Sequence, residues 1–219
     1  SATVLGVAYT GLDAIVAAVG GLDHVTLPAT DDEFAVTASL AGTANGIAFT
    51  EIESVDGGLG EDTLTNDTGA AFSGGSAALG GIAFTGFESI DTPILALTDN
   101  AETFTLIGTG KGKLGTLTYK GLIAVDALGG SDVLELTTGD DAVQFDGPGA
   151  VTTSGIAFTQ FETVKGGGGK DKLTLTTGSD QVALAPTGVL TVAAVTFETF
   201  SEVAGGAGGD LVVLTTLDD

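Results

Sequence analysis

Three stretches of the chain set an aspartate at the end of a glycine run: Gly57-Gly58-Leu59-Gly60-Glu61-Asp62-Thr63-Leu64, Gly166-Gly167-Gly168-Gly169-Lys170-Asp171-Lys172-Leu173 and Gly205-Gly206-Ala207-Gly208-Gly209-Asp210-Leu211-Val212. All three fit Gly-Gly-x-Gly-x-Asp-x-apolar, and weaker forms stand at Gly20-Gly21-Leu22-Asp23 and Gly129-Gly130-Ser131-Asp132. A second acid follows nine residues on, pairing Asp23 with Asp32, Asp132 with Asp141, Asp171 with Asp180 and Asp210 with Asp219. Glycine supplies positive φ in tight turns and an Asp carboxylate caps nearby amides, so such corners have a structural use before any chemical one. Other reactive side chains are scarce: 29 Asp and Glu stand against 6 Lys, with no Arg, no Cys and one histidine, His24, beside a glycine corner. Nucleophilic triads cannot be assembled from this set. Paired carboxylates of the polysaccharide-cleaving kind are chemically allowed, but repetition accounts for the acids equally well and no basic or aromatic subsite accompanies them. The chain is read as non-catalytic, with no catalytic residue.

The glycine corners resemble the calcium-binding nonapeptide of RTX proteins. In that family the glycines expose turn carbonyls and the aspartate adds a carboxylate oxygen, toward the six to eight hard oxygen ligands that calcium takes. The resemblance makes Gly58, Gly60, Asp62, Gly167, Gly169, Asp171, Gly206, Gly208 and Asp210 the calcium candidates, and calcium the one cofactor the chain would take; none is required for the fold. It departs at the second corners, which read Thr-Thr-Gly-Asp-Asp and Thr-Thr-Gly-Ser-Asp without paired glycines, and it is lost at Asp91-Thr92-Pro93-Ile94-Leu95. In the resembled family the ion lies between turns adjacent in the stack; here about 30 residues separate a second corner from the next glycine corner.

A formal charge of -23 makes nucleic acids and anionic membranes unsuitable partners, because both need a basic face, and makes cations the expected company. No apolar run approaches the roughly 18 residues of a membrane helix, and two Tyr with no Trp cannot build the girdles of a membrane barrel. Without cysteine, neither disulfides nor thiolate metal sites exist.

These corners sit in a repeat. An aromatic followed by two spaced apolars recurs as Tyr9, Leu12, Ile15; Phe49, Ile52, Val55; Phe84, Phe87, Ile90; Tyr119, Leu122, Val125; Phe158, Phe161, Val164; and Phe197, Phe200, Val203, with the aromatics 40, 35, 35, 39 and 39 residues apart. A template returning at that interval marks a solenoid, whose units bury their apolar faces on one another. Alternation such as Leu173 and Leu175 against Thr174 and Thr176 has the period of half-buried strands. The expected fold is all-β: a right-handed parallel β-solenoid (β-helix) with about two coils per 35–40-residue repeat, a core with few polar groups and the template aromatics in one internal column. An acid precedes each second apolar at Asp13, Glu53, Glu88 and Glu162, broken by Ile123 and Ser201, and reads as a solvated face. Residues 1–219 are taken as a single repeat domain, a fragment of a longer array.

The template Gly-Ile-Ala-Phe-Thr, at Gly46, Gly81 and Gly155, followed by a glycine corner, is similar to repeats of large bacterial secreted and surface β-helical adhesins of the filamentous-haemagglutinin-like kind. That likeness implies an extracellular, cell-surface location and a rod or stalk segment of an adhesin or biofilm-matrix protein. It implies as partners neighbouring repeats, other copies joined end to end or laterally, matrix polysaccharide or a host surface. It carries over no functional residue. Two alternatives are a calcium-stabilised extracellular module and a self-assembling filament or surface-layer subunit.

Overall fold

The computed structural model describes residues 2–4, 7–9, 13–17, 20–66, 72–73 and 78–215; at 2–4, 7–9, 72–73 and 78 it describes the backbone alone. Leu12, the Tyr9 side chain, Thr216 and Asp219, all used in reading the repeat, lie outside the described side chains. Every described element is a strand, and neighbouring copies stack through in-register parallel pairs, so the chain is a β-solenoid. It divides into two compact units, Ser1–Ile94 with Thr116–Lys120, and Leu95–Gly115 with Gly121–Asp219.

The repeat is clearest in the second unit. Ala124–Asp126 and Val133–Glu135 are short strands either side of a glycine corner, and a second corner leads into Ala142–Gly147. The chain then doubles back twice, through Ala150–Thr153 and Ile156–Thr159, as an antiparallel meander. The next copy repeats this with Thr163–Lys165, Lys172–Thr174, Gln181–Leu184, Leu190–Val192 and Val195–Glu198. The two meanders belong to different sheets, and the copies alternate between them.

In the second unit, parallel partners among the corner strands are one repeat minus one corner apart, which is 30 residues, while those made with the last meander strand, Ala124 with Ala157 and Thr163 with Thr196, lie farther apart in sequence. Thr103 pairs with Val133 and Val133 with Thr163, while Ala142 pairs with Lys172 and Lys172 with Glu202. The third strand of one copy thus pairs with the second strand of the next copy, which pairs in turn with the first strand of the copy after. In the first unit Glu33 pairs with Thr63 and His24 with Ser54 at the same interval, whereas Thr63 pairs with Ser89 at 26 residues. The meander was not expected from the parallel pattern. Asn45-Gly46 explains one of its turns, because both residues have positive φ (52° and 75°), the twist that suits a two-residue hairpin.

Alternating side chains of the stacked sheets fill the core. Phe49, Phe84, Tyr119, Phe158 and Phe197 are all buried, but within neither unit do they form one column: Phe84 stands on a different sheet from Phe49 and Tyr119 in the first unit, and Phe158 on a different sheet from Phe197 in the second. They meet aromatics of the third strands instead. Phe104 packs on Phe158 across the second unit at 5.8 Å between ring centres, Phe145 on Phe197 at 6.2 Å, and in the first unit Phe34 on Phe84 at 5.7 Å. Within a copy, Phe84–Phe87, Phe158–Phe161 and Phe197–Phe200 stack edge to face. Burial pushes the Tyr119 phenol up to about 12, so it stays neutral.

Candidate functional site

The expectation of few polar groups in the interior fails at the corners. Asp32, Asp62, Asp132, Asp141 and Asp171 are buried, the last four between 0 and 9 % exposed for Asp132, Asp62, Asp171 and Asp141. A buried carboxylate needs hydrogen-bond donors, and the 30-residue stacking supplies them. Each corner aspartate accepts the backbone N–H of the residue that precedes the neighbouring strand. The Asp62 carboxylate takes the amide of Asp32 at 2.8 Å, Asp132 that of Glu102 at 2.8 Å, Asp171 that of Asp141 at 2.9 Å and Asp210 that of Asp180 at 3.0 Å.

A second set of bonds runs the other way. Asp31 accepts the amide of Glu61, Asp140 that of Lys170, and the Ser179 hydroxyl that of Gly209. Three of the four pairs of stacked corners are therefore latched reciprocally, one side chain reaching in each direction. Glu53, Glu88 and Glu162, read from sequence as a solvated face, extend the ladder: they accept the amides of Asp23, Asp62 and Asp132 at 2.7 to 2.8 Å. These bonds are charge-assisted, the stronger class of protein hydrogen bond.

The glycines are explained by the same stacking. A Cβ on Gly57, Gly166 or Gly205 would lie 2.4 to 2.8 Å from the second carboxylate oxygen of its own corner aspartate. Gly60 lies over the carbonyl of Thr30, Gly167 over those of Leu136 and Thr137, Gly169 over Gly139, Gly206 over Thr176 and Gly208 over Gly178, each too close for a side chain. A Cβ on Gly58 would lie 3.1 and 3.2 Å from the carbonyl oxygens of Leu27 and Pro28. The structure thus brings each set of calcium candidates together within its corner. Each corner stacks on a second-type corner about 30 residues earlier, and none of the three stacks on another.

For a cation, the arrangement offers one carboxylate oxygen per corner. The second oxygens of Asp62 and Asp171 are buried without a partner, while the first oxygens are occupied by amides. Among the described residues no group of three or more His, Cys, Asp or Glu side chains converges as a metal cage. Calcium at these corners would have to draw most of its oxygens from backbone carbonyls. Burial holds the Asp62, Asp132 and Asp171 carboxyls above their ordinary value of 3.8, against the lowering effect of the amides they accept, and neighbouring carboxylates add to the rise.

His24 bonds through its ring to Ser54 and Thr26 and is surface exposed. An open depression of about 590 Å³ beside Asp13, Glu33, Thr43 and Asn45 brings no base to those acids. Among the described residues no helix is long and apolar enough to cross a membrane. Comparison with known proteins finds no family model, no curated protein and no solved structure that matches the chain.

Proposed function

We propose that the chain is a non-catalytic structural segment, a spacer within an extracellular bacterial adhesin or biofilm-matrix protein. The supporting observation is the reciprocal corner latch: the chain's most regularly repeated polar side chains are bonded to the backbone of the neighbouring copy. Side chains so engaged hold copies in register, and a solenoid held that way transmits load along its backbone ladder. The likeness of the Gly-Ile-Ala-Phe-Thr template to surface repeats supports the location. Neighbouring repeats are the partners this reading requires, with matrix polysaccharide or a host surface contacted elsewhere. Stretching single molecules between two end tags tests it. Discrete force peaks as copies peel away support a load-bearing spacer, and extension without resistance overturns it.

A second reading, calcium stabilisation, is favoured by the partnerless buried oxygens of Asp62 and Asp171. Calcium titrated into EDTA-stripped protein, with magnesium as control, separates the two. A calcium-specific rise in Tm at or below millimolar concentration supports metal at the corners, and equal behaviour of the two ions leaves the latch sufficient.

A further inference from the structure

We propose that Glu102 and Asp132 share one proton, so that the corner at 97–102 is latched to the corner at 127–132 by a carboxylic acid–carboxylate bond as well as by amides. Asp132 is fully buried, and one of its oxygens accepts the Glu102 amide at 2.8 Å. Its other oxygen is buried with no donor. The same is true of Glu102: one oxygen accepts the Thr98 hydroxyl, and the other is buried and unpaired. The amide bond from Glu102 to Asp132 sets the two side chains at adjoining places in the stacked corners, close enough for the Glu102 charge to act on the Asp132 carboxyl. Two buried, unpaired acceptors on adjoining carboxylates repel unless a donor stands between them. A single proton supplies it with no other ligand.

Among the described residues no ion pair reaches these carboxylates. Glu162, preceding the next strand of the ladder, accepts the Asp132 amide at 2.7 Å and adds a third carboxylate. Asp99 lies on the corner beneath, its carboxylate 3.2 Å from where a side chain on Gly129 would begin. The ion pairs found among the described residues, Lys165–Glu198 and Lys172–Glu202, involve none of these groups. The proton belongs to the pair rather than to either residue. Burial and the flanking Glu102 and Glu162 charges raise the Asp132 carboxyl in the fold, whereas in the unfolded chain it returns to its ordinary value. Folding therefore takes up a proton. The stabilisation is complete at pH values below the ordinary carboxylate range and is lost as pH rises through the raised value of the pair.

The test compares thermal unfolding of the whole chain and of Asp132→Asn across pH 4 to 9, in EDTA and again with calcium. The asparagine amide supplies permanently the donor that the proton supplies only when bound. The proposal expects the two Tm curves to meet at acid pH and to part as pH rises, with the wild type falling below the variant by several degrees. It also expects a protonated-carboxyl carbonyl band in the infrared spectrum at neutral pH that Asp132→Asn removes. Parallel curves, or no such band, overturn it. So does a wild-type Tm that calcium raises at high pH while acid leaves it unchanged, which would place a metal between the carboxylates. Should Asp132→Asn not fold, the carboxyl ¹³C titrations of Asp132 and Glu102 in labelled wild type decide the matter: a raised, coupled titration supports the shared proton, and two ordinary independent ones refute it.

Discussion

Asp171 shows how much one side chain carries. It is 1 % exposed, accepts the Asp141 amide at 2.9 Å, and tucks its second oxygen against Gly166. Asp171→Ala leaves the Asp141 N–H without its acceptor, and a destabilisation of about 1–3 kcal/mol is expected in urea unfolding. Asp171→Asn keeps the accepting oxygen and removes the charge that burial disfavours, so its loss should be smaller than that of alanine. Gly167→Ala meets two obstacles, a φ of +75° and a Cβ 2.4 Å from the Thr137 carbonyl, and should cost roughly 1–3 kcal/mol as overpacking does. Of this residue-level picture, the glycine–aspartate corners were legible from their motif alone. The acceptor glutamates Glu53, Glu88 and Glu162 were not, because exposure and bonding to a main-chain amide leave no composition signal. An interval announces two of them, not Glu88: Asp23 and Glu53 are 30 residues apart, Glu102, Asp132 and Glu162 recur at 30, and so do Asp32 and Asp62, Asp141 and Asp171, and Asp180 and Asp210. That interval is the stacking distance, and it is shorter than the repeat by one nine-residue corner.

The meander is the element the parallel pattern concealed. Its strands have the same two-residue alternation as the solenoid strands, so periodicity could not separate them, although Asn45-Gly46 and Ser154-Gly155 between alternating segments are hairpin signals. Packing within the meander is matched across copies. Phe34 and Phe104 begin their long strands and lie over Gly42 and Gly112, where a Cβ would fall 2.1 to 2.4 Å from the ring. In the copy at 142–153 the aromatic has moved two positions to Phe145, and it faces Val151 rather than a glycine. Gly112→Val should therefore drive the branched side chain into the Phe104 ring and lower stability by about 1–3 kcal/mol in chemical denaturation. The paired change Gly112→Val with Phe104→Val should recover part of the loss, and a double-mutant cycle measures how much. Phe158→Ala, which removes the ring packed on Phe104 and Phe161, should cost about 3–5 kcal/mol.

At the scale of the whole chain, 29 acids against 6 lysines impose a self-repulsion that the hydrogen-bond ladders must outweigh. Raising sodium chloride from about 0.01 to about 1 M contracts the Debye length from ~30 to ~3 Å and should raise Tm, with no need for a divalent ion. Acidification from neutral pH should also raise Tm until the carboxylates of the ladder itself are protonated. The raised Asp62, Asp132 and Asp171 carboxyls bind protons in the fold at pH values where the unfolded chain has released them, so their contribution to stability declines as pH rises above 3.8. The all-β class and the stacking of copies were readable from the template alone, because the buried Phe, Ile and Val positions recur in nearly every copy. Which side chains latch the copies depends on register, and register becomes visible only once the meander is placed. Amide hydrogen exchange at Asp32, Glu102, Asp141 and Asp180, with calcium removed by EDTA, tests the latch most directly. These amides precede the strands and belong to the corners, so the latch predicts that they exchange as slowly as the strand amides beside them. Exchange at the rate of open loops, slowed only when calcium is added, would contradict it.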